Sequence, residues 1–568
     1  MLIVGIHNTG IISSAAIVVD GVLRFGCAEE RLDRRKYSKY FPHRAIDAGL
    51  THVGAQLADV DVFAIGWNPA INIAERYRAG YSEWPAHPGA RFYSNPNHLL
   101  PRLPQTGFIA TGQIFHREDG QATRICYVTH HLAHAAAAYF PSGFDEAAIF
   151  SCDGYGERAT TAWYHAQGGK IRLLREIRFP HSIGQFYGAL TQFLGFRPNF
   201  DEWKVMGAAA YGDPDVYYKK LSSLVHRDDD AGFELDLRCF QHQDFDAAEM
   251  FTPRMIELLG PARRFDDPME QRHFDLAAAL QKVTEEYLFA GVRWLKTKVS
   301  CPNLCLSGGV IMNSVFNGRV AEEGPFANIY IPFAPDDSGN SIGAALWTAA
   351  GEGAQIDSAA AATPYLGRAY SEGEIERQIA AVKLAAEPTA DIAAVVAELL
   401  ADGKVVGWFQ GRMEFGQRAL GARSILGDPR DPAMKDRINQ AVKFRESFRP
   451  FAPAVLAEQA AQWFDMKRPI EVPYMEKVLL IRQDKRAQIP AVVHADGTGR
   501  LQTVTKSSNP LFHRLIELFG RRTGVPIVLN TSFNINDEPI VESPTDAIRT
   551  FYSSGLDAMA IGPFLFRK

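Results

Sequence analysis

One stretch, residues 130–157, constrains the possible fold of this chain more than any other. It opens with His130-His131-Leu132-Ala133-His134 and four further alanines, a composition that predicts a helix. On a helix, His130 and His134 lie one turn apart and point the same way. A strand of buried type follows and ends in Asp153-Gly154-Tyr155-Gly156-Glu157, at the position where α/β folds usually bind ligands. Two imidazoles, a carboxylate and a glycine-rich turn indicate a metal beside a phosphate.

Length and composition limit the class of protein. A chain of 568 residues is too long for one ordinary core, so two or more domains are expected. The sequence has no apolar run near the roughly 18 residues of a membrane span and no signal-peptide pattern at its start. Six cysteines do not make a disulfide framework in so long a chain. These features predict a cytoplasmic protein without a membrane partner, and a formal charge of −5 argues against a general nucleic-acid binder.

Two hairpins predict an internal duplication. Residues 2–6 and 14–19 have the composition of strands, and Asp20-Gly21 is a tight-turn signal leading into a third strand. A second hairpin, with its turn at Gly168-Gly169, follows the Asp-Gly-x-Gly-Glu motif. Repeated hairpins of this kind are typical of actin-like folds, which hold phosphates between two glycine-bearing hairpins. We therefore predict an actin-like, nucleotide-binding N-terminal domain.

Further candidate ligands are spread along the N-terminal half. Lys204 precedes a run of small residues and could contact a phosphate, although tight helix packing explains that pattern equally well. Gly308 and Gly309 follow a buried strand, where backbone can approach an adenine or a ribose closely. Asp337 lies at a strand-to-helix junction and is a candidate fourth metal ligand. Residues 68–120 have no periodicity, and we expect contacts to an acceptor substrate there.

The two histidines also have simpler explanations than a metal site. His130 and His134 could be ordinary core or surface histidines, but Asp153 beyond the next strand favours a metal. Zinc proteases have the same histidine spacing and need a glutamate directly after the first histidine, whereas His131 stands there in this chain. Two histidines and two aspartates fit iron, manganese or zinc. His131 is offset around the helix, so we expect it to pack or to support a ligand.

The C-terminal half predicts a site for an anion. A stretch rich in Gly, Ala, Ser and Thr at 351–363 predicts the domain boundary, with domains at 1–355 and 364–568. The second domain concentrates cations, amides and hydroxyls at Arg412, Arg418, Arg423, Lys443, Arg445, Arg449, Arg500, Asn530 and Ser532. Guanidinium groups match phosphate oxygens bidentately, so this set suits a small doubly charged anion. A solvated face of salt bridges is the alternative.

These motifs together resemble the O-carbamoyltransferases of the NodU, CmcH and TobZ type, and the resemblance covers essentially the whole chain. It is carried, in order, by His130-His131-Leu132-Ala133-His134, Asp153-Gly154-x-Gly156-Glu157, Ser307-Gly308-Gly309, Gly411-Arg412-Met413-Glu414, Arg418-Ala419-Leu420-Gly421, Phe448-Arg449-Pro450-Phe451 and Leu529-Asn530-Thr531-Ser532. That family joins two α/β domains. The resemblance therefore implies an actin-like N-terminal domain, similar to the tRNA threonylcarbamoyladenosine transferase of the ASKHA class, and a YrdC-like C-terminal domain.

The resemblance also implies roles for individual residues. The metal ligands would be His130, His134, Asp153 and Asp337, with Fe(II) as the expected ion and manganese or zinc as alternatives. The residues that face the nucleotide would be Gly154, Gly156, Glu157, Lys204, Gly308, Gly309 and Asn313. Carbamoyl phosphate would be held by Arg418, Lys443, Arg449, Arg500, Asn530 and Ser532. The catalytic groups among these would be His130, His134, Arg418, Lys443 and Arg449.

The implied reaction has two steps. Carbamoyl phosphate and ATP would give carbamoyl-adenylate in the C-terminal domain, with release of phosphate and pyrophosphate. The carbamoyl group would then pass, in the metal-bearing domain, to a hydroxyl of a small acceptor of the natural-product type, as in antibiotic biosynthesis, leaving AMP. No nucleic acid is expected as a partner, and the chain could pair as a homodimer.

One departure and two alternatives remain at this stage. Ile11-Ile12 stand where family members commonly carry His-Asp, which puts the acceptor in doubt, although His7 and Asn8 lie close by. A tRNA-modifying enzyme that uses threonylcarbamoyl-adenylate is the first alternative, and the acidic net charge counts against it. An actin-like nucleotide sensor without transfer chemistry is the second, and it would leave the C-terminal cations without a purpose.

Overall fold

A computed structural model describes residues 1–9, 11–69, 110–116, 122–228, 231–244, 247–443, 449 and 451–568. Of the stretch 68–120, predicted to contact the acceptor, residues 70–109 and 117–120 lie outside this description. The chain divides into two compact units. The N-terminal unit contains Met1–Gly26, Lys39–Asn313 and Glu323–Ala362, and the C-terminal unit contains Cys27–Ser38, Ser314–Glu322 and Thr363–Lys568.

The strands of the described residues are β1 (Leu2–Asn8), β2 (Ser13–Val19), β3 (Val22–Ala28), β4 (Val62–Ile65), β5 (Ala110–His116), β6 (Ala122–Val128), β7 (Glu146–Cys152), β8 (Ala159–Gln167), β9 (Lys170–Arg178), β10 (Val225–Arg227), β11 (Phe233–Leu235), β12 (Asn303–Ser307), β13 (Asn328–Tyr330), β14 (Glu387–Pro388), β15 (Val406–Phe409), β16 (Arg423–Gly427), β17 (Ala452–Leu456), β18 (Lys477–Leu480), β19 (Thr498–Val504), β20 (Ile527–Ser532), β21 (Ala558–Ile561) and β22 (Phe564–Arg567).

The helices are α1 (Glu29–Asp33), α2 (His43–His52), α3 (His130–Ser142), α4 (Ile183–Phe193), α5 (Glu202–Ala208), α6 (Tyr218–Ser222), α7 (Pro253–Leu259), α8 (Gln271–Lys298), α9 (Ser314–Glu323), α10 (Asn340–Gly351), α11 (Ser358–Ala362), α12 (Glu372–Ala381), α13 (Ile392–Ala401), α14 (Met434–Ile438), α15 (Ala460–Trp463), α16 (Pro510–Thr523) and α17 (Pro544–Tyr552). No helix of the described residues combines the length and the apolar character needed to cross a membrane.

The N-terminal unit contains two sheets with one shared plan. The first has the order β3-β2-β1-β4-β6-β5 and the second the order β9-β8-β7-β12-β13. In each, an antiparallel hairpin precedes two strands that run parallel to the first strand of the set. Asp20 and Gly21, with φ of +49° and +80°, form the tight turn predicted between β2 and β3. This repeated strand order confirms the predicted actin-like duplication.

Two helices of the N-terminal unit, α3 and α10, pack closely against each other. At Gly343 a Cβ atom would come within 1.8 Å of the Ala133 carbonyl oxygen, so only glycine allows this approach. The close packing brings the start of α10 to the start of α3. Asp153, directly after β7, and Asp337, in the short 3-10 turn before α10, belong to the same unit.

The C-terminal unit is built on one mixed sheet with the order β14-β22-β21-β15-β16-β20-β17-β19-β18. Helices α13 and α16 cover one face and bury residues such as Trp408 and Phe512. The other face packs against α14 and α17 through residues such as Met434 and Phe551. The predicted α/β class of the second domain is confirmed.

Two short segments from the first half of the chain belong to the C-terminal unit. Arg34, at the end of α1, donates hydrogen bonds to the carbonyl oxygens of Pro539 (2.9 Å) and Ile540 (2.7 Å), and its Nε lies 3.4 Å from Asp546 Oδ1. In α9, the Asn317 amide donates to the Glu476 carbonyl at 2.9 Å. The predicted domain ranges, 1–355 and 364–568, assign both segments to the first domain.

Replacing Arg34 with alanine should destabilise the C-terminal unit, because two buried carbonyl oxygens lose a charged donor. Hydrogen bonds to a charged group contribute about 2 kcal/mol, so a loss of about 2 kcal/mol in the free energy of unfolding is expected. Chemical denaturation of the whole chain measures it. The exposed neighbour Arg35 is the control, and equal losses for Arg34→Ala and Arg35→Ala would contradict the role of Arg34.

Candidate metal centre and anion-binding face

Four side chains of the N-terminal unit converge on one point. The Nε2 atoms of His130 and His134 are 3.1 Å apart, and Asp153 Oδ2 lies 3.1 Å and 2.8 Å from them. Asp337 Oδ1 lies 3.4 Å from both nitrogens. A divalent ion with bonds of about 2.1 Å separates neighbouring ligand atoms by about 3.0 to 3.4 Å. The four residues therefore fit a single cation, and all their ligand atoms lie within 4.8 Å of one another.

The electrostatics of this cluster favour positive charge. Burial alone lowers the pKa of His134, but its hydrogen bonds to Asp153 and Asp337 outweigh burial and raise that pKa to about 9. Burial and the neighbouring carboxylate both oppose ionisation of Asp153, yet its contacts with the two histidines leave its pKa below the usual value. Two carboxylates in one partly closed site need a compensating charge, which protons or a metal ion can supply.

The opposite nitrogen of each histidine is oriented by a neighbour. Ser307 Oγ lies 3.4 Å from His134 Nδ1, and the Asn340 amide lies 3.2 Å from His130 Nδ1. Asn340 Oδ1 is buried without a hydrogen-bond partner among the described residues, so exchanging the amide oxygen and nitrogen gives His130 an acceptor. With a proton on Nδ1, each ring turns a bare Nε2 towards the cation site. Neither Asn340 nor Ser307 was predicted as part of the site.

His131 is excluded from the cation site by its own hydrogen bonds. Its Nε2 contacts the Ala159 carbonyl at 3.0 Å, and a carbonyl only accepts, so this nitrogen carries the proton. Its Nδ1 then accepts from Ser151 Oγ at 2.7 Å. Burial lowers the pKa of His131 to about 3, which keeps the ring neutral.

Glu157 caps helix α3. Its Oε1 accepts hydrogen bonds from the backbone N–H groups of His130 at 2.9 Å and Asn68 at 2.6 Å. A buried helix start needs such acceptors, because the first N–H groups of a helix have no partner within it. This contact fixes the position of the first metal-ligand candidate. The assignment of Glu157 to nucleotide binding stays a prediction.

The glycines assigned to the nucleotide lie around Asp153. A Cβ on Gly309 would come within 2.7 Å of Asp153 Oδ1, and one on Gly308, whose φ is +100°, within 2.1 Å of the Cys152 carbonyl oxygen. Gly156 lies against the rings of His130 and His131, and Gly154 against Gln185. Gly308 and Gly309 thus allow the end of β12 to approach the end of β7 closely.

The two polar residues assigned to the nucleotide already contact protein groups. The Asn313 amide forms a reciprocal pair with Gln281, at 2.9 Å and 3.0 Å. Lys204 Nζ lies 3.3 Å from Asp201 Oδ1 and over the rings of Phe196 and Trp203. Contact of Asn313 and Lys204 with a nucleotide stays a prediction.

In the C-terminal unit, the strand registers set three predicted residues on one face of the sheet. Ala452 pairs with Asn530 in the neighbouring strand, and Ala454 pairs with Gln502. Continuing that register sets Arg500 level with Ala452. Side chains alternate along strands, so Arg500 and Gln502 share a face with each other, as do Asn530 and Ser532. The Asn530 amide donates to Gln502 Oε1 at 2.8 Å, which joins the two rows over small alanines.

Lys443 reaches the end of the same strand. Its Nζ donates to the Ser532 carbonyl at 2.5 Å and to Asn534 Oδ1 at 2.7 Å. Arg418 donates to the Met475 carbonyl at 2.5 Å, and its neighbour Ala419 accepts from the Asn530 amide at 3.2 Å. Asn530 Oδ1 is buried and has no hydrogen-bond partner among the described residues. We call the set Arg418, Lys443, Arg500, Asn530 and Ser532, whose contact with an anion stays a prediction, the anion-binding face. Arg449 lies three residues before β17, and Arg445 lies outside the described residues.

Two of the three arginines in the glycine-rich stretch have another role. Arg423 is fully buried, donates to the carbonyl oxygens of Gln410 (3.0 Å) and Gly411 (3.2 Å), and stacks 3.6 Å from the Phe409 ring. Burial lowers the pKa of Arg423 to about 10, which leaves it charged at neutral pH. Arg412 donates to the carbonyl oxygens of residues 366 and 367. Both shape the loop that carries Arg418.

The family follows from comparison with known proteins. The model described as "Carbamoyltransferase N-terminus" matches residues 2–346, and the one described as "Carbamoyltransferase C-terminus" matches residues 397–568. The chain belongs to the carbamoyltransferase family. This confirms the resemblance inferred from the motifs, and the enzyme is a carbamoyltransferase.

Its relatives include proteins of nodulating bacteria. "Nodulation protein NolNO" of Sinorhizobium fredii is 38% identical over 99% of this chain and 80% of its own length. "Nodulation protein NolO" of Bradyrhizobium diazoefficiens is 38% identical over 78% and 79%, and "Nodulation protein U" of Rhizobium tropici is 30% identical over 92% and 89%. A solved structure of HypF in the phosphate- and nucleotide-bound form shares 12% identity over 61% of this chain and 55% of its own, with a TM-score of 0.30. The fold assignment therefore rests on the strand order.

Glu157→Ala should destabilise the N-terminal unit, because two buried N–H groups lose their acceptor. At about 1 to 3 kcal/mol for a buried unsatisfied group, a loss of about 3 kcal/mol in the free energy of unfolding is expected. Burial raises the pKa of Glu157, so its charge is unfavourable there, and Glu157→Gln keeps the acceptor oxygen without that charge. The glutamine variant should change stability by less than about 1 kcal/mol. Denaturation followed by tryptophan fluorescence would disprove the capping role if both variants lost the same stability.

Proposed function

We propose that this carbamoyltransferase makes carbamoyl-adenylate from carbamoyl phosphate and ATP and transfers the carbamoyl group to a hydroxyl of a small acceptor of the natural-product type. The observation that carries the proposal is the presence of two distinct polar sites in one chain. One is the cluster of His130, His134, Asp153 and Asp337 in the N-terminal unit, whose geometry fits a cation, and the other is the anion-binding face of the C-terminal unit. A reaction with two half-reactions uses both.

Adenylate formation is assigned to the anion-binding face. Release of both phosphate and pyrophosphate balances only if one water enters. Water splits carbamoyl phosphate into carbamate and phosphate, and a carbamate oxygen then attacks the α-phosphorus of ATP, breaking its bond to pyrophosphate. Arg418, Lys443, Arg449 and Arg500 would neutralise the phosphate charges, which is the main task of a protein in phosphoryl transfer. Lys443 suits this task because it is 4% exposed and held in place by the end of β20.

Transfer is assigned to the cation site. His130, His134, Asp153 and Asp337 would hold a divalent ion that supplies Lewis acidity towards the adenylate phosphate and carbonyl oxygens. Iron(II) is the expected ion, and manganese or zinc also fit two imidazoles and two carboxylates. The acceptor hydroxyl attacks the carbamoyl carbon, the bond from that carbon to the AMP oxygen breaks, and the hydroxyl proton passes to the leaving AMP. Glu157, Ser307 and Asn340 hold the two histidines in position.

His7 is the candidate to replace the polar pair missing at Ile11-Ile12. Its Nε2 lies 3.5 Å from Asp337 Oδ2 and 2.9 Å from Thr9 Oγ1. Its Nδ1 is buried and has no hydrogen-bond partner among the described residues. His7 could therefore contact an acceptor beside the cation site.

The cytoplasm is the proposed location of the enzyme, and antibiotic biosynthesis is the proposed setting of its reaction.

The two half-reactions should separate by mutation. Arg449→Ala should lower carbamoyl-phosphate-dependent release of pyrophosphate at least about 100-fold, because a charge-stabilising group is lost. His130→Ala should keep that release and stop carbamoyl transfer to a hydroxyl acceptor, followed by mass spectrometry. Arg482 is half exposed and belongs to neither proposed site, so Arg482→Ala is the control. Equal loss of both half-reactions in Arg449→Ala and His130→Ala would contradict the division of labour.

The cation site can be tested by metal content. His134→Ala should lower the iron bound per chain about tenfold or more after anaerobic loading, because one of four ligands is lost. Elemental analysis of the folded protein measures this. His165, which pairs with Glu146 at 2.8 Å outside the site, is the matched control. Retention of the same metal content in His134→Ala and His165→Ala would remove His134 from the ligand set.

A further inference from the structure

A tight turn carries a histidine to the anion-binding face. The N–H of His494 donates to the Thr498 carbonyl at 2.8 Å, and the N–H of Gly497 donates back to the His494 carbonyl at 2.9 Å. Gly497 has a φ of +82°, which glycine adopts without strain. The turn leads directly into β19. In that strand Thr498 lies on the same face as Arg500, because side chains alternate along a strand.

Hydrogen bonds around His494 determine where its proton lies. Thr498 Oγ1 has one hydrogen, and it lies 2.7 Å from Asp496 Oδ1, which can only accept. The hydroxyl hydrogen is therefore used there. The contact of 3.0 Å between Thr498 Oγ1 and His494 Nδ1 must then be donated by the histidine. The proton sits on Nδ1, and Nε2 carries a bare lone pair.

Among the residues that the structure describes, this lone pair has no donor. His494 Nε2 is buried and has no hydrogen-bond partner among the described residues. Burial lowers the pKa of His494 to about 4; Arg500 and Lys435 act in the same direction, and Asp496 acts against them. The ring is neutral at physiological pH, so Nε2 is an acceptor. A buried acceptor without a donor is unfavourable, and a ligand that donates a hydrogen bond would recover that loss.

Only one group of carbamoyl phosphate meets this requirement. The phosphate oxygens are acceptors and would be repelled by the lone pair. The carbamoyl NH₂ group is a donor. We propose that His494 Nε2 accepts a hydrogen bond from the NH₂ group of carbamoyl phosphate, while Arg500 on the same face holds the phosphate. His494 is then a specificity-determining residue that distinguishes carbamoyl phosphate from acyl phosphates that have a methyl group in that place. This inference rests on the proposed function.

A general-base role for the same histidine is the competing interpretation. The Asp496-Thr498-His494 chain resembles a relay that activates water. A ring with a pKa near 4 is a weak base at neutral pH, which favours the acceptor role. The two roles differ in kinetics. Loss of an acceptor that reads the substrate raises KM, whereas loss of a base lowers kcat.

The experiment measures carbamoyl-phosphate-dependent release of pyrophosphate by the full chain. His494→Ala should raise KM for carbamoyl phosphate about tenfold and change kcat less than about threefold, as expected for one lost hydrogen bond. Inhibition constants of acetyl phosphate and inorganic phosphate, which lack the NH₂ group, should stay within about twofold. His494→Gln keeps an acceptor oxygen and should recover part of the affinity. Thr498→Val frees the Nδ1 proton and should give an intermediate KM.

The outcomes separate the two proposals. Absence of pyrophosphate release by the unaltered enzyme would refute the proposed function and, with it, the role of His494. An active enzyme whose KM is unchanged in His494→Ala would overturn only the role of His494 and leave Asn530 Oδ1 as the acceptor on that face. A parallel rise in KM and in the inhibition constant of phosphate would reveal a purely structural residue. A fall in kcat at constant KM would assign a base instead.

Discussion

The carboxylates of Asp153 and Asp337 lie close together in one partly closed site, and the N-terminal unit depends on the compensation of their charge. Negative charges so close together oppose each other's ionisation unless a positive charge lies between them. The surrounding residues favour a positive charge at this point. His130 and His134 point their Nε2 atoms at the carboxylates, and Gly309 leaves room beside Asp153. A cation is the simplest way to satisfy all four groups, because the geometry of their atoms suits one ion.

The duplicated fold explains how these groups meet. Asp153 directly follows β7, and Asp337 begins the 3-10 turn between β13 and α10; both strands run parallel to β12 in one sheet. Parallel strands end at the same edge, so residues that are far apart in sequence come together. The hairpin echo predicted the fold and the His-x-x-x-His spacing predicted the pairing of the two histidines, since both depend on local periodicity. Asp153 and Asp337 were predicted from their places after a strand and before a helix, and the complete set of four was implied by the family resemblance. Ser307 and Asn340 could not be predicted, because nothing in sequence spacing shows which neighbour meets the far side of an imidazole ring.

Arginine shows a second limit of prediction from sequence. Arg412, Arg418 and Arg423 look alike in a glycine-rich stretch, but only Arg423 of these three is fully buried. Arg423 is enclosed by backbone carbonyl oxygens and the Phe409 ring and serves the loop itself. A charged group out of water needs several fixed donor–acceptor contacts, and a loop rich in turns provides carbonyl oxygens for them. The alternation of side chains on β19 and β20 instead decides which polar residues face one another, and that register is visible only in the sheet.

The assembly of the C-terminal unit from three separate segments has a consequence for how the protein is made. Residues 27–38 leave the ribosome long before residue 363, and the carbonyl partners of Arg34 at Pro539 and Ile540 follow 505 and 506 residues after it. During synthesis the N-terminal unit can complete its own sheets first, while the side chain of Arg34 stays hydrated. A fragment that starts at residue 363 lacks residues 27–38 and 314–322, which belong to the same compact unit. Exchange of this domain between relatives would therefore need three matched grafts.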